Sequence, residues 1–440
     1  VYMVDVTPGA EAVAQLLCEP DGDDQSWGLA DFVAAEELDR HRGLWWLPGS
    51  DALLIELVDE SDVETRWISD PSQPERPPVA HRYPAAGTAN PVARLFRVRI
   101  DGSREEVLWD REAFPYLATV EAADDRAAIV SLLSRDQATQ SVLRLPNDGS
   151  AVERVRERSS APWLTLHSGV PSLTPDGSLL EIVVNAAEDS FQLVADDRPL
   201  TPGGLQVSSV VDVSEQGIVF IASTNPLEQH VFRRGWEGVI TPLTVGESVN
   251  SAVGGASGLV IATADAESTA TGYRVILPAV EGTVTSLAER PVVQPKASFH
   301  RVGARDLATA VLWPTGHIPG SVRLPVVMAP YGGPHFSRVT RSAGPFAGDQ
   351  WLADQGFAVI VADGRGTSGR GPAWEFAVDG GFTPMVLDDQ VDALHGLAEI
   401  YPDLDLDHVG ITGWSFGGYL AALAVLDRPD VFHAAVAGAP

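Results

Sequence analysis

Thr412-Gly413-Trp414-Ser415-Phe416-Gly417-Gly418-Tyr419 joins two stretches of opposite character. Before it runs the apolar His408-Val409-Gly410-Ile411, which reads as a strand. After it runs Leu420-Ala421-Ala422-Leu423-Ala424-Val425-Leu426, rich in good helix formers. A strand, a sharp glycine-flanked turn and a helix form the setting of a G-x-S-x-G nucleophile elbow. Such a turn holds its serine in a strained backbone, where neighbouring side chains would clash; Gly413 and Gly417 remove them. It also sets the Ser415 hydroxyl at a helix N-terminus, which favours developing negative charge. With 41 glycines in the chain the bare pattern says little, and an idle serine in a glycine-rich turn would match it too. The flanking strand and helix give the pattern its weight.

The chain's 440 residues exceed one typical domain of about 100–200 and predict two or three. Hydrophobic residues make up 45%, enough for sizeable cores. Sixty acidic residues against 30 basic ones give a net charge of −30, which argues against nucleic acid, since phosphate binding needs a basic surface. Acidity of this kind serves solubility, or attracts a cationic group such as a peptide N-terminus. Cys18 is the only cysteine, so there is no disulfide framework and no cysteine-based metal site. That fits a reducing compartment, and a cytoplasmic location is expected. No apolar run reaches the ~18 residues of a membrane span. Neither a metal nor a cofactor is expected.

Up to about residue 290 the chain reads as short β segments, among them Ala52-Leu53-Leu54-Ile55-Glu56-Leu57-Val58, Ala128-Ile129-Val130-Ser131-Leu132-Leu133 and Ile218-Val219-Phe220-Ile221-Ala222. Turn signals such as Asn147-Asp148-Gly149, Pro175-Asp176-Gly177 and Glu215-Gln216-Gly217 separate them. The spacing of corresponding strands, irregular but near ~40–45 residues, predicts β-propeller blades, with a β-sandwich as the alternative. Near residue 300 the pattern changes. Leu324-Pro325-Val326-Val327-Met328-Ala329-Pro330 and Phe357-Ala358-Val359-Ile360-Val361-Ala362 are continuous apolar runs, as in strands buried on both faces. A helical period follows from Leu387 to Ile400, with Asp388 and Asp389 placed to suit its N-terminus. This is a doubly wound α/β pattern with a mostly parallel sheet. The expected architecture is an incomplete β-propeller over 1–290 and an incomplete α/β-hydrolase domain over 291–440.

Three stretches in order, Pro330-Tyr331-Gly332-Gly333-Pro334, Asp363-Gly364-Arg365-Gly366-Thr367-Ser368-Gly369 and Gly413-Trp414-Ser415-Phe416-Gly417-Gly418-Tyr419, together resemble the prolyl oligopeptidase family of serine peptidases. Phe32-Val33-Ala34-Ala35-Glu36-Glu37 with Trp45-Trp46, followed by Tyr83-Pro84-Ala85-Ala86-Gly87-Thr88-Ala89-Asn90-Pro91, is similar to the bacterial dipeptidyl peptidase IV branch. The resemblance implies a propeller coupled to an α/β-hydrolase domain. It implies that Ser415 is the acylated nucleophile. The backbone N–H of Phe416 then faces the oxyanion. Tyr331 would donate its hydroxyl to the same oxyanion, a contribution typically worth about 3–4 kcal/mol. Acidic pairs are as frequent here as composition alone predicts, so Glu36 and Glu37 carry no signal as a dipeptide. The resemblance implies that they hold the substrate's free α-ammonium, limiting cleavage to two residues from the N-terminus. Many family members dimerise, so a homodimer is also implied.

Trp45, Trp46, Trp163, Trp313, Trp351 and Trp374 are expected in core or interface positions. Arg365 lacks a P-loop lysine or a dinucleotide spacing around it, so a loop-bracing ion pair is expected. A serine nucleophile needs a histidine base and an acid, in the order Ser, Asp or Glu, His for an α/β-hydrolase. His433 opens the next strand, at the opposite face of the sheet, and is a poor base; Asp427 and Asp430 are poor orienters. The expectation is therefore an internal segment of a longer polypeptide, inactive alone, with the triad Asp and His beyond Pro440. The leading function is a serine exopeptidase releasing N-terminal dipeptides with Pro or Ala second. An acylaminoacyl peptidase or oligopeptidase, or a non-catalytic propeller binding protein, are the alternatives.

Overall fold

A computed structural model describes residues 1–6, 13–122, 126–147, 149–255 and 257–440. Asp148 of the Asn147-Asp148-Gly149 turn lies outside the described residues. The chain forms two compact units, one of residues 1–166 and 170–180, the other of residues 167–169 and 181–440.

The first unit is built from antiparallel strands. Ala52–Asp59 is buried along nearly its whole length because neighbours cover both faces. Gln25–Trp27 and Leu44–Trp46 pair along one edge of it, and Val92–Arg99 then Arg104–Val107 along the other. A second sheet is a four-stranded meander of Tyr116–Glu121, Ala128–Leu133, Thr139–Leu145 and Glu153–Ser159. Leu54 and Leu95 of one sheet meet Val130 and Leu132 of the other in one apolar cluster, all fully buried. The Pro175-Asp176-Gly177 turn forms as expected. Thr174 and Ser178 close it, and the Gly177 N–H donates to the Thr174 carbonyl at 2.9 Å. Among the described residues of this unit, one short helix, Phe32–Glu37, lies between strands Gln25–Trp27 and Leu44–Trp46.

The second unit repeats the meander twice, over Gln206–Ser214, Gly217–Ser223, His230–Arg234 and Ile240–Pro242, and over Ser248–Gly255, Gly258–Asp265, Gly272–Leu277 and Val280–Val284. Successive meanders along the chain start at Tyr116, Ser172, Gln206 and Ser248, an uneven repeat as the sequence implied. The same unit then forms a six-stranded sheet in the order Ser298–Val302, Leu307–Leu312, Ala358–Asp363, Leu324–Met328, Leu404–Trp414, Ala434–Gly438. The last four strands are parallel. The first two are antiparallel, a hairpin that the apolar-run reading passed over. Leu307–Leu312 is as buried as the parallel strands, but it follows a four-residue turn and can only return antiparallel.

Helix Met385–Ile400 covers this sheet with Val386, Leu387, Ala393, Leu394 and Leu397. Asp388 lies in its first turn as expected, whereas Asp389 is fully buried and serves another role described below. Among the tryptophans, Trp45 is buried, while Trp46 and Trp351 are exposed at 46% and 58%. Trp45 thus takes the core half of the core-or-interface expectation, while Trp46 and Trp351 lie outside the core. Trp46 sits on the outward side of a short edge strand, and Trp351 on the outer face of helix Ala347–Ala353.

Candidate active site

The parallel register places the site. Met328 lies opposite Ile411, and Ile411 opposite Ala435. Tyr331 comes three residues after Met328 and Ser415 four after Ile411, so both leave adjacent parallel strands at their carboxyl ends. Open α/β sheets hold ligands at that edge.

Ser415 has φ 54° and ψ −122°, a conformation a non-glycine residue rarely adopts. It is the N-cap of helix Phe416–Asp427, yet its hydroxyl makes no capping bond and its residue is exposed. Its N–H donates to the Gly438 carbonyl at 3.0 Å, which ties the turn to the neighbouring strand. The glycines around it are close-approach positions. A Cβ on Gly413 would lie 2.2 Å from the Gly417 oxygen, and one on Gly417 would lie 2.7 Å from the Pro330 oxygen. The second of these packs the start of the helix on the end of the Tyr331 strand. Gly418, which the sequence reading left aside, sits equally tight against Gly438.

Phe416 is the first helical residue, so its N–H has no acceptor within the helix. The Tyr331 ring lies 6.2 Å from the Phe416 ring and 5.2 Å edge-on from Phe336. Between them passes Gly333, where a Cβ would come within 2.7 Å of the tyrosine ring and 2.9 Å of the phenylalanine ring. The structure thus brings Ser415, Phe416 and Tyr331 to one corner of the sheet.

The loops behind this corner are held by buried charge. Asp363 ends strand Ala358–Asp363 and accepts the N–H groups of Arg338 and Val339 at 3.0 and 2.8 Å. Burial pushes its carboxyl up to about 6, against the lowering effect of those two bonds. The Arg338 guanidinium donates to the Ala329 carbonyl, two residues before Tyr331, and to Asp349 at 2.7 Å. Arg365 braces its glycine-rich loop as expected. Its partner is Asp389, which it meets through Nε at 2.9 Å and Nη2 at 2.7 Å, and which also accepts the Arg365 N–H. Glu375, buried, accepts the Gly369 N–H at 3.2 Å, and burial pushes its carboxyl up to about 7.

Asp363, Arg338 and Glu375 were not singled out from sequence. The one available signal was a carboxylate ending a wholly apolar strand. His433 falls where the sequence placed it, at the start of Ala434–Gly438 opposite Val409. Its Nδ1 accepts the Val409 N–H at 3.1 Å. Five residues of strand, roughly 16 Å, separate it from the level of Gly438, so it is no base for Ser415.

In the first unit, Glu36 and Glu37 end helix Phe32–Glu37 and are both exposed. Asp31 caps that helix, accepting from the N–H groups of Val33 and Ala34 at 2.9 and 3.1 Å.

Comparison with known proteins assigns this arrangement. Residues 9–258 match the model of the dipeptidyl peptidase IV (DPP IV) N-terminal region, and residues 347–440 match that of the prolyl oligopeptidase family. The chain belongs to the prolyl oligopeptidase family, in its dipeptidyl peptidase IV-like branch. This dipeptidyl peptidase IV-like chain is 27% identical to human dipeptidyl peptidase 8 across 96% of its own length and 58% of the human protein. A probable dipeptidyl peptidase 4 of Aspergillus flavus is 32% identical over 29% of this chain and 17% of that one. The crystal structure of Porphyromonas gingivalis dipeptidyl peptidase 4 matches with a TM-score of 0.82 at 21% identity, covering 97% of this chain and 63% of that one. At that identity the likeness speaks for the fold: a propeller-like N-terminal region of antiparallel sheets followed by an α/β-hydrolase part. The dipeptidyl peptidase IV-like chain spans 58–63% of the length of the human and P. gingivalis relatives. Among the described residues, no helix is long and apolar enough to cross a membrane.

Proposed function

We propose that the protein is a serine exopeptidase that releases dipeptides from free N-termini, preferring Pro or Ala as the second residue. The observation that carries this reading is the exposed Ser415 at φ 54°, ψ −122°, at the carboxyl end of a parallel strand and at a helix start. Its hydroxyl attacks the carbonyl carbon of the second residue. The C–N bond to the third residue breaks, and that residue's amine leaves with the proton the hydroxyl gives up. Water then hydrolyses the Ser415 ester to free the dipeptide. The Phe416 N–H and the Tyr331 hydroxyl receive the negative oxygen of the tetrahedral intermediate. Glu36 and Glu37, exposed at the end of a capped helix, bind the substrate's α-ammonium and count off two residues. The proposal keeps residues 1–290 as the propeller and 291–440 as the catalytic domain, with a cytoplasmic, homodimeric protein acting on peptides.

The test uses the protein at its natural length. A fluorophosphonate should label Ser415, and Ala-Pro anilide should be cleaved while its N-acetyl form is not. Labelling without Ala-Pro release, or equal turnover of the blocked substrate, would replace the exopeptidase reading with an oligopeptidase one. No labelling at all would leave a binding protein.

A further inference from the structure

Helix Phe32–Glu37 has six residues, far below the ~12–15 at which a helix holds itself in water. Its placement must come from what grips its ends. At the start, Asp31 caps it and is itself buried. At the end, the N–H groups of Leu38 and Arg40 both donate to the Ala34 carbonyl, at 3.2 and 3.0 Å. Ala34 and Leu38 are buried against Ala118 and Leu133, so the inner face is fixed and Glu36 and Glu37 point outward.

Arg40 joins this helix end to the sheet. Its side chain is 7% exposed. Nη1 donates to Glu56 at 2.5 Å and to the Arg42 carbonyl at 2.9 Å. Nη2 donates to the other Glu56 oxygen and to the Leu117 carbonyl, both at 3.0 Å. Nε also donates to Leu117, at 3.2 Å. All five donors of the guanidinium are thereby used. Glu56 stands mid-strand in Ala52–Asp59 and is fully buried, and Asp31 lies 4.0 Å from the same guanidinium. One side chain thus ties the helix cap, the helix end, strand Ala52–Asp59 and strand Tyr116–Glu121 together.

Stability alone does not account for such a pair. Buried ion pairs are often matched or surpassed in stability by apolar residues of similar volume, because desolvation offsets their attraction. What an apolar contact does not supply is a fixed register. We propose that Arg40 and Glu56 are positioning residues: they hold the helix so that Glu36 and Glu37 meet the substrate ammonium, and so set KM for peptides with a free N-terminus. This rests on the anchoring role proposed above for Glu36 and Glu37.

The experiment takes the protein at its natural length and compares wild type, Arg40→Met/Glu56→Leu, Glu56→Gln, and Glu36→Ala. The double variant keeps the buried volume apolar; the single one is isosteric and guards against a double variant that does not fold. KM for Ala-Pro anilide should rise roughly 10–100-fold in both, as expected for a displaced binding group. The kcat and the rate of fluorophosphonate labelling at Ser415 should stay within about twofold of wild type, which a general loss of structure would not allow. Unchanged KM in a variant that still labels overturns the positioning role, provided that Glu36→Ala raises KM. Unchanged KM in Glu36→Ala as well shows instead that the glutamates are not the anchor, and both proposals fall.

Discussion

A Cβ placed on Gly418 would sit 2.1 Å from the carbonyl oxygen of Gly438. That same carbonyl accepts the Ser415 N–H at 3.0 Å. One oxygen therefore sets both the height of the elbow helix over the sheet and the twist of the turn. Gly418→Ala must push the helix off the strand. Overpacking of this kind costs about 1–3 kcal/mol. The expected outcome is a lower Tm together with slowed labelling of Ser415 by a fluorophosphonate. Wild-type Tm and labelling rate in this variant would contradict the close approach.

Tyr331 should matter through its hydroxyl, not its ring. The ring packs between Phe336 and Phe416, and a phenylalanine would keep those contacts. Tyr331→Phe should leave Tm unchanged and lower kcat by roughly 10²–10³-fold, the cost of one lost oxyanion donor, with little change in KM. Steady-state kinetics with Ala-Pro anilide on the protein at its natural length check this. A kcat within threefold of wild type would remove Tyr331 from the oxyanion site.

Much of this was legible in the residues. The elbow could be read because its demands are local: glycines at fixed offsets, an apolar strand before and helix formers after. Arg365 could be read as an ion pair because its loop lacks the other parts of a phosphate site, though its partner Asp389 could not. On helical spacing Asp389 looks like a dipole-complementing residue, and only tertiary packing turns it toward the arginine. The Leu307–Leu312 hairpin was missed because a wholly buried strand carries no mark of its direction. The pair of Arg40 and Glu56 was invisible for a similar reason. Glu56 breaks an apolar strand pattern, but nothing in the sequence says which cation, 16 positions away, meets it.

Asp363 is a second such case, and it can be tested. Its carboxylate accepts two backbone N–H groups from the segment that follows Tyr331. Asp363→Asn keeps one acceptor oxygen and turns an NH2 group toward the other N–H. A buried donor left without an acceptor costs about 1–3 kcal/mol. Urea unfolding should register a loss of that size, and kcat should fall with it because Arg338 also grips Ala329, just before Tyr331. Unaltered stability would mean that the Arg338 and Val339 amides find other acceptors.

Glu375 gives the protein a pH dependence whose sign can be worked out. Burial, with the nearby Asp189 adding to it, raises its carboxyl from 4.5 to about 7, and only the Gly369 N–H acts the other way. Below about 4.5 the group is protonated in folded and unfolded chains alike, and its full contribution to stability is present. Between about 4.5 and 7 the unfolded chain has released the proton and the folded one has not. The unfolded state then binds fewer protons, so stability falls as pH rises. The loss levels off above about 7, at on the order of 3 kcal/mol. Glu375→Gln carries no titrating proton and keeps the side-chain shape. Its Tm should match that of wild type near pH 4.5 and exceed it by several degrees at pH 8, in matched thermal scans. Parallel curves for the two proteins across that range would show that Glu375 titrates normally, and that the loop at Gly369 is open to water.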